Sequence, residues 1–165
     1  MARACLDRGR IDYRRVHLDA RDRSFELEEE TAIDLGGVAK GWAADALASA
    51  LRGHGNVLVD LGGDIAAQGS KAWSLGVEGP FRPGRDLAEI SLRAGGVATS
   101  SSTLKRRWAN GHQLIDPRSG RPARTDLAAT TAPSATEAEG AAKVALLLSE
   151  KPARSFLEQA GWARF

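Results

Sequence analysis

The stretch Asp34-Leu35-Gly36-Gly37-Val38-Ala39-Lys40-Gly41 constrains this chain more than any other. An acid closes a short apolar segment, two residues without side chains follow, and a lysine then opens an amphipathic run. That run predicts a helix from about Val38 to Arg52, which Gly53 and Gly55 stop. Val38, Trp42, Leu47, Ala50 and Leu51 share roughly one face, so Trp42 is expected to pack in the core. Glycine lets a backbone come close to a neighbour, and the first amides of a helix lack internal partners. Such amides, with the helix dipole, favour an anion, and Lys40 one turn in adds a full positive charge. The pattern therefore supports two readings: a tight turn into a helix, or a cradle for a phosphate.

The rest of the chain alternates short strands with breakers. Tyr13, Val16 and Leu18, then Phe25 and Leu27, predict two extended segments turning at Asp19-Ala20-Arg21-Asp22, as an edge hairpin. Val57 to Leu61 reads as a strand, and Gly62-Gly63-Asp64 follows at once, either as a turn or bulge or as a second close-approach loop. Trp73, Leu75 and Val77 alternate, as do Ala88, Ile90 and Leu92, across a loop from Gly79 to Gly84. Ala128 to Ala132 is a further strand. Ser134-Ala135-Thr136-Glu137 is a capping box opening a helix to about Leu148, with Ala141, Val144, Ala145 and Leu148 on one face. A last helix from about Pro152 to Ala160 has Phe156 and Leu157 as apolar anchors and ends at Gly161. These elements predict an α+β fold, a mainly antiparallel sheet packed with helices.

A length of 165 residues suits a single domain, taken as 1–165. Cys5 is the one cysteine, which excludes an internal disulfide and a cysteine cluster for zinc. No apolar run approaches the roughly 20 residues of a membrane span, and no charged-then-apolar leader stands at the start. The formal net charge of +2 argues against a large non-specific nucleic-acid surface. The cluster Lys105, Arg106, Arg107 beside Trp108 keeps a nucleic-acid module as a lesser reading.

Two further stretches bear polar chemistry. Thr99-Ser100-Ser101-Ser102-Thr103 leaves an apolar strand end ahead of that basic cluster. Hydroxyls and amides can ring phosphate oxygens, and a guanidinium binds them bidentately; a polar turn feeding a helix is the other reading. His112-Gln113-Leu114-Ile115-Asp116-Pro117-Arg118-Ser119-Gly120 sets an imidazole near a carboxylate. His112 and Asp116 are thus candidates for acid–base work, or for a structural turn that Pro117 and Gly120 shape.

The ordered set of these motifs resembles the ApbE family, the FAD:protein FMN transferases. The set comprises Asp34 to Gly41, Val59-Asp60-Leu61-Gly62-Gly63-Asp64-Ile65, Val97 to Ser101, Leu114 to Gly120, and Ala132-Pro133-Ser134-Ala135-Thr136-Glu137-Ala138. The resemblance covers roughly residues 31 to 148. It implies an enzyme that binds FAD as substrate, uses Mg2+, and breaks the pyrophosphate. The FMN part would pass to a threonine or serine hydroxyl of an acceptor flavoprotein, with AMP leaving. It implies that Asp34, Lys40 and Ile115 contact the flavin nucleotide, with Thr99 and Ser100 in the phosphate-facing run. It also implies that the Gly37 carbonyl and Glu139 serve a metal.

Three departures from the family pattern are visible. An aspartate and, four residues on, a threonine usually hold magnesium on the helix after the capping box; here Glu139 and Lys143 stand there. A protonated lysine cannot ligate a metal, so two readings stand: Lys143 supplies charge in place of part of the metal's role, or the metal site is rotated or lost. The family's histidine falls on Gln113, leaving His112 one position earlier to take its part. The long N-terminal region of the family is expected to be lacking, so the chain reads as a domain fragment, one half of a split protein or a shortened relative. The changed metal and histidine positions keep open a flavin- or nucleotide-binding module without turnover. Family members usually work outside the cytoplasm, often as lipoproteins; no lipid-attachment cysteine follows a signal here.

Overall fold

The computed structural model describes residues 13–81, 84–102, 107–108, 111–123, 125–148 and 150–164. Strands β1 (Val16–Asp19) and β2 (Ser24–Leu27) precede helix α1 (Ala39–Ala50). Then come β3 (Val57–Asp60), β4 (Asp64–Gln68), β5 (Trp73–Glu78), β6 (Asp86–Leu92) and β7 (Gly95–Ser101). Four two-residue strands follow: β8 (Arg107–Trp108), β9 (Gly111–His112), β10 (Ile115–Asp116) and β11 (Arg121–Pro122). Strand β12 (Leu127–Ala132), helices α2 (Ala135–Leu147) and α3 (Glu150–Gln159), and β13 (Ala163–Arg164) complete the order. The expected contacts of Thr103, Lys105 and Arg106 lie outside the described residues, as do those of the side chains of Arg107 and Trp108. No described helix is long and apolar enough to cross a membrane.

A five-stranded sheet in the order β13-β12-β7-β4-β3, antiparallel throughout, forms the middle layer. Successive side chains of a strand point to opposite faces, and this sheet buries both. On one face Ala66, Val57 and Ala98 meet Ala44 and Ala48 of α1 and Ala135, Ala138 and Ala142 of α2. On the other, Ala67, Val97 and Ala129 meet Val77, Ile90 and Leu92 of the antiparallel β5–β6 pair. The domain is thus helices, sheet and hairpin in three layers, the α+β architecture that the alternation of patterns predicts. The edge hairpin of β1 and β2 also forms, with both Arg21 and Asp22 amides donating to the Asp19 carboxylate.

The buried face of α1 differs from the expected one. Trp42 is 66% exposed, and Leu47, Leu51 and Val38 are exposed with it. The face turned to the sheet is Gly41, Ala44 and Ala48. The reason is distance. A methyl on Gly41 would stand 2.5 Å from the Ala135 carbonyl oxygen, and one on Gly96 would stand 2.3 Å from the Ala135 amide nitrogen. The start of α2 is wedged between α1 and β7 with backbone almost touching backbone. Only small residues fit that seam, and an indole there would force the layers apart.

Candidate active site

The seam is held by reciprocal capping. The first amides of a helix need outside partners, and each helix takes them from the other. Asp45 of α1 accepts the Ala135 amide at 2.8 Å and the Thr136 amide at 2.9 Å, and the Thr136 hydroxyl donates to it at 2.6 Å. Glu139 of α2 reaches back, its Oε2 accepting the Gly41 amide at 2.8 Å. The predicted capping box adds its own pair, Ser134 Oγ accepting from the Glu137 amide at 3.2 Å and donating to its carboxylate at 3.0 Å. Asp45 escaped the sequence reading because its partners lie 90 and 91 positions away.

This capping changes what the glycine-rich stretch presents. The Gly41 amide, which the sequence offers to a phosphate, is already bonded to a carboxylate. Asp34 Oδ1 accepts the Gly36 amide at 2.8 Å, so the acid first shapes the turn into α1. The Lys40 ammonium is paired with the buried Asp64 carboxylate at the head of β4. Glu139, fully buried, pairs through Oε1 with Lys143 Nζ at 2.9 Å. The Lys143 stem runs past Gly37, with Cδ 3.8 Å from where a methyl on that glycine would sit. Two carboxylates and two ammonium groups therefore gather about the start of α1. Lys40 is the half-exposed one, its side chain keeping 51% of its accessible surface.

The hydroxyl run splits across the sheet. Ser100 is buried on the helix side, the side of Ala98, whereas Thr99 and Ser101 share the hairpin side with Val97. Thr99 lines a cavity of about 220 Å³ with Asp60, Gly63, Glu78 and Ser101. Strand alternation thus separates two residues that the sequence places in one phosphate-facing run. Between the two sides lies the β3–β4 turn, where Gly62 and Gly63 adopt φ of 74° and 93°. A side chain would be strained at both positions. The turn is closed by Asp60 Oδ1 accepting the Gly63 amide at 2.8 Å, and Gly63 in turn accepts the Thr99 amide at 3.1 Å.

His112 and Asp116 are near in sequence but have separate partners. The His112 ring is buried, with Nδ1 accepting the Leu114 amide at 3.1 Å and Nε2 donating to the Ala123 carbonyl at 2.9 Å. That arrangement uses both ring nitrogens and clamps the ends of the segment between them. Asp116 is held by Arg118, through the side-chain Nε at 3.0 Å and Nη2 at 2.8 Å and the backbone amide at 2.9 Å. The Arg118 hydrogen bonds keep the Asp116 carboxyl below its usual range and raise the guanidinium in return. Arg118 Nη2 also donates to the Leu147 carbonyl at 3.1 Å, tying this turn to the end of α2. Asp116, Arg118, Ser119 and Arg121 line a cleft of about 830 Å³ against Leu146, Leu147 and Pro152. Ile115, half-buried beside it, pairs with Pro122 in the β10–β11 ladder.

A magnesium ion asks for a near-octahedral set of oxygens. The described residues do not offer one. No group of three or more histidine, cysteine, aspartate or glutamate side chains gathers to hold a metal among them. At Glu139 the two oxygens are taken by an amide and an ammonium, and the stem of that lysine runs beside Gly37. The expected pair of Gly37 and Glu139 does not fit a divalent ion while Lys143 stands between them.

An antiparallel sheet between a hairpin and two cross-capped helices, with lysines at a glycine-rich helix start, defines the class to which the fold belongs. The ApbE protein of Thermotoga maritima superposes with a TM-score of 0.78 at 28% identity, over 93% of this chain and 57% of that one. The flavin transferase ApbE of Vibrio cholerae shares the fold with a TM-score of 0.78 at 22% identity, over 95% of this chain and 53% of the other. The ApbE family model matches residues 2–164, and the chain belongs to that family. It is 31% identical to the FAD:protein FMN transferase of Treponema pallidum, across 91% of this chain and 49% of the relative. The FAD:protein FMN transferase of Salmonella typhimurium is 30% identical, across 81% and 41% respectively. The chain thus spans about half the length of the curated relatives it matches.

Proposed function

We propose that this chain carries the diphosphate-handling part of an FAD:protein FMN transferase. In the reaction, the hydroxyl oxygen of an acceptor threonine or serine bonds to the FMN phosphorus. The bond from that phosphorus to the bridging oxygen breaks, AMP departs with that oxygen, and the hydroxyl proton passes to solvent. Negative charge grows on the departing phosphate, and fixed positive groups there lower the barrier. The observation that carries the reading is the gathering of Lys40 and Lys143 at the glycine-rich start of α1, within a chain similar along most of its length to FMN transferases.

The residues divide the work as follows. Lys40, flexible and half-exposed, exchanges Asp64 for the diphosphate; an ammonium is a point charge that can change partner at little geometric cost. Asp34 keeps its second oxygen for the nucleotide, and Thr99 offers its hydroxyl from the far side of the Gly62-Gly63 turn. Ile115 gives an apolar contact at the edge of the large cleft. His112 acts as a positioning residue, clamping the segment that carries Ile115 and Asp116. Asp116, ionised against Arg118, fixes the cleft wall. Ser100 faces the helices and supports the strand.

The test is to incubate the chain with FAD and a threonine-containing acceptor flavoprotein and weigh the acceptor by mass spectrometry. An FMN adduct, reduced by Lys40→Ala, is the expected result. The engagement of both His112 nitrogens and of the Asp116 carboxylate favours one other reading, a flavin-binding module without turnover. FAD binding with no adduct would establish that module and refute transfer.

A further inference from the structure

We propose that the Lys143 ammonium is the resident cation of this site, so that the site takes no divalent metal and meets the substrate's diphosphate with ammonium charge alone. The inference rests on the transfer reading for what the cation faces, but not for the exclusion of metal.

Glu139 is fully buried, and a buried carboxylate must be paired or it neutralises. Its pairing here is complete. One oxygen caps α1 through the Gly41 amide at 2.8 Å, and the other holds Lys143 Nζ at 2.9 Å. The same nitrogen lies 3.5 Å from the Glu139 carbonyl oxygen. Lys143 and Glu139 stand four residues apart on one helix face, so the pair is fixed by the helix itself. The lysine stem then fills the space beside Gly37. A magnesium ion could reach Glu139 only by displacing the ammonium, and it would also lose the capping oxygen to the Gly41 amide. An ammonium tied by its own chain is never released to solution, so it is present at every turnover and at every metal concentration. Its single charge is smaller than that of a divalent ion, and Lys40 supplies the second.

Three measurements test this. Wild-type chain is titrated with magnesium by calorimetry, and its melting temperature is compared in EDTA and in millimolar magnesium. The expectation is no binding heat and no shift. Lys143→Thr, which leaves Glu139 Oε1 without its cation, is expected to acquire a magnesium-dependent rise in melting temperature that Glu139→Gln abolishes. Binding of magnesium by the wild type, or a folded Lys143→Thr that gains none, would overturn the proposal. Should Lys143→Thr not fold, the wild-type titration decides alone. FMN transfer is then assayed with EDTA present. Transfer undiminished by EDTA supports the inference, and transfer lost in EDTA but restored by magnesium overturns it while leaving the transfer reading intact. No adduct under either condition, with no magnesium binding, sinks the transfer reading and leaves the metal exclusion standing.

Discussion

Asp45→Ala is the perturbation that probes the helix seam most cleanly. It removes the acceptor for two amides and one hydroxyl at the start of α2. Losing a capping side chain costs about 1 kcal/mol in most helices. Here Ala135 is fully buried, so its amide cannot turn to water instead. An unsatisfied buried donor adds about 1–3 kcal/mol. Ser134 still caps the Glu137 amide, so α2 does not unravel. The expected total is about 3 kcal/mol, or a fall of about 9 °C in melting temperature for a chain of this size. Urea denaturation followed by circular dichroism should show a lower midpoint with an unchanged slope, as fits a loss of stability without a change in the unfolded state. A loss below about 0.5 kcal/mol, the range of an ordinary surface change, would refute the reasoning that the two helices depend on each other's carboxylates.

Other substitutions follow from the same geometry. Gly41→Ala should cost about 3 kcal/mol or more, since its methyl would meet the Ala135 and Thr136 backbone and not a movable side chain. Gly140→Ala, in the interior of α2 with nothing near its would-be methyl, should stabilise by about 1 kcal/mol in the same thermal melts. Trp42→Ala should change stability by no more than about 0.5 kcal/mol, and wild-type fluorescence should carry an acrylamide-quenchable component that the variant lacks. The Asp116 carboxyl is depressed in the folded chain by Arg118. Its stabilising share is therefore present above the ordinary aspartate value of about 4 and is lost as pH falls through the lower folded value. Arg118→Gln should flatten that acid loss, read as melting temperature against pH, and an unchanged slope would remove the pair from the account.

Much of the fold was legible because its signals are local. The alternating runs at Trp73 to Val77 and Ala88 to Leu92 became a paired hairpin, and Ser134 and Glu137 formed their capping box. The buried face of α1 was not legible, because reading hydrophobicity favours tryptophan and leucine over alanine. What decides the face is the width of a seam set by Ala135 against Gly41 and Gly96, and no pattern within α1 reports that width. The site was half legible. The four-residue spacing of Glu139 and Lys143 stands in the sequence, but that Glu139 caps a helix 98 positions away does not. Thr99 and Ser100 show the converse: adjacent in sequence, they are parted by the most elementary property of a strand.

A structure of the chain with FAD bound tests the central claim most directly. Diphosphate lodged at the opening turn of α1, with the Lys40 ammonium turned from Asp64 onto a phosphate oxygen and Lys143 still on Glu139, is the predicted result. FAD bound elsewhere, or Lys40 unmoved beside Asp64 with the nucleotide in place, would contradict it.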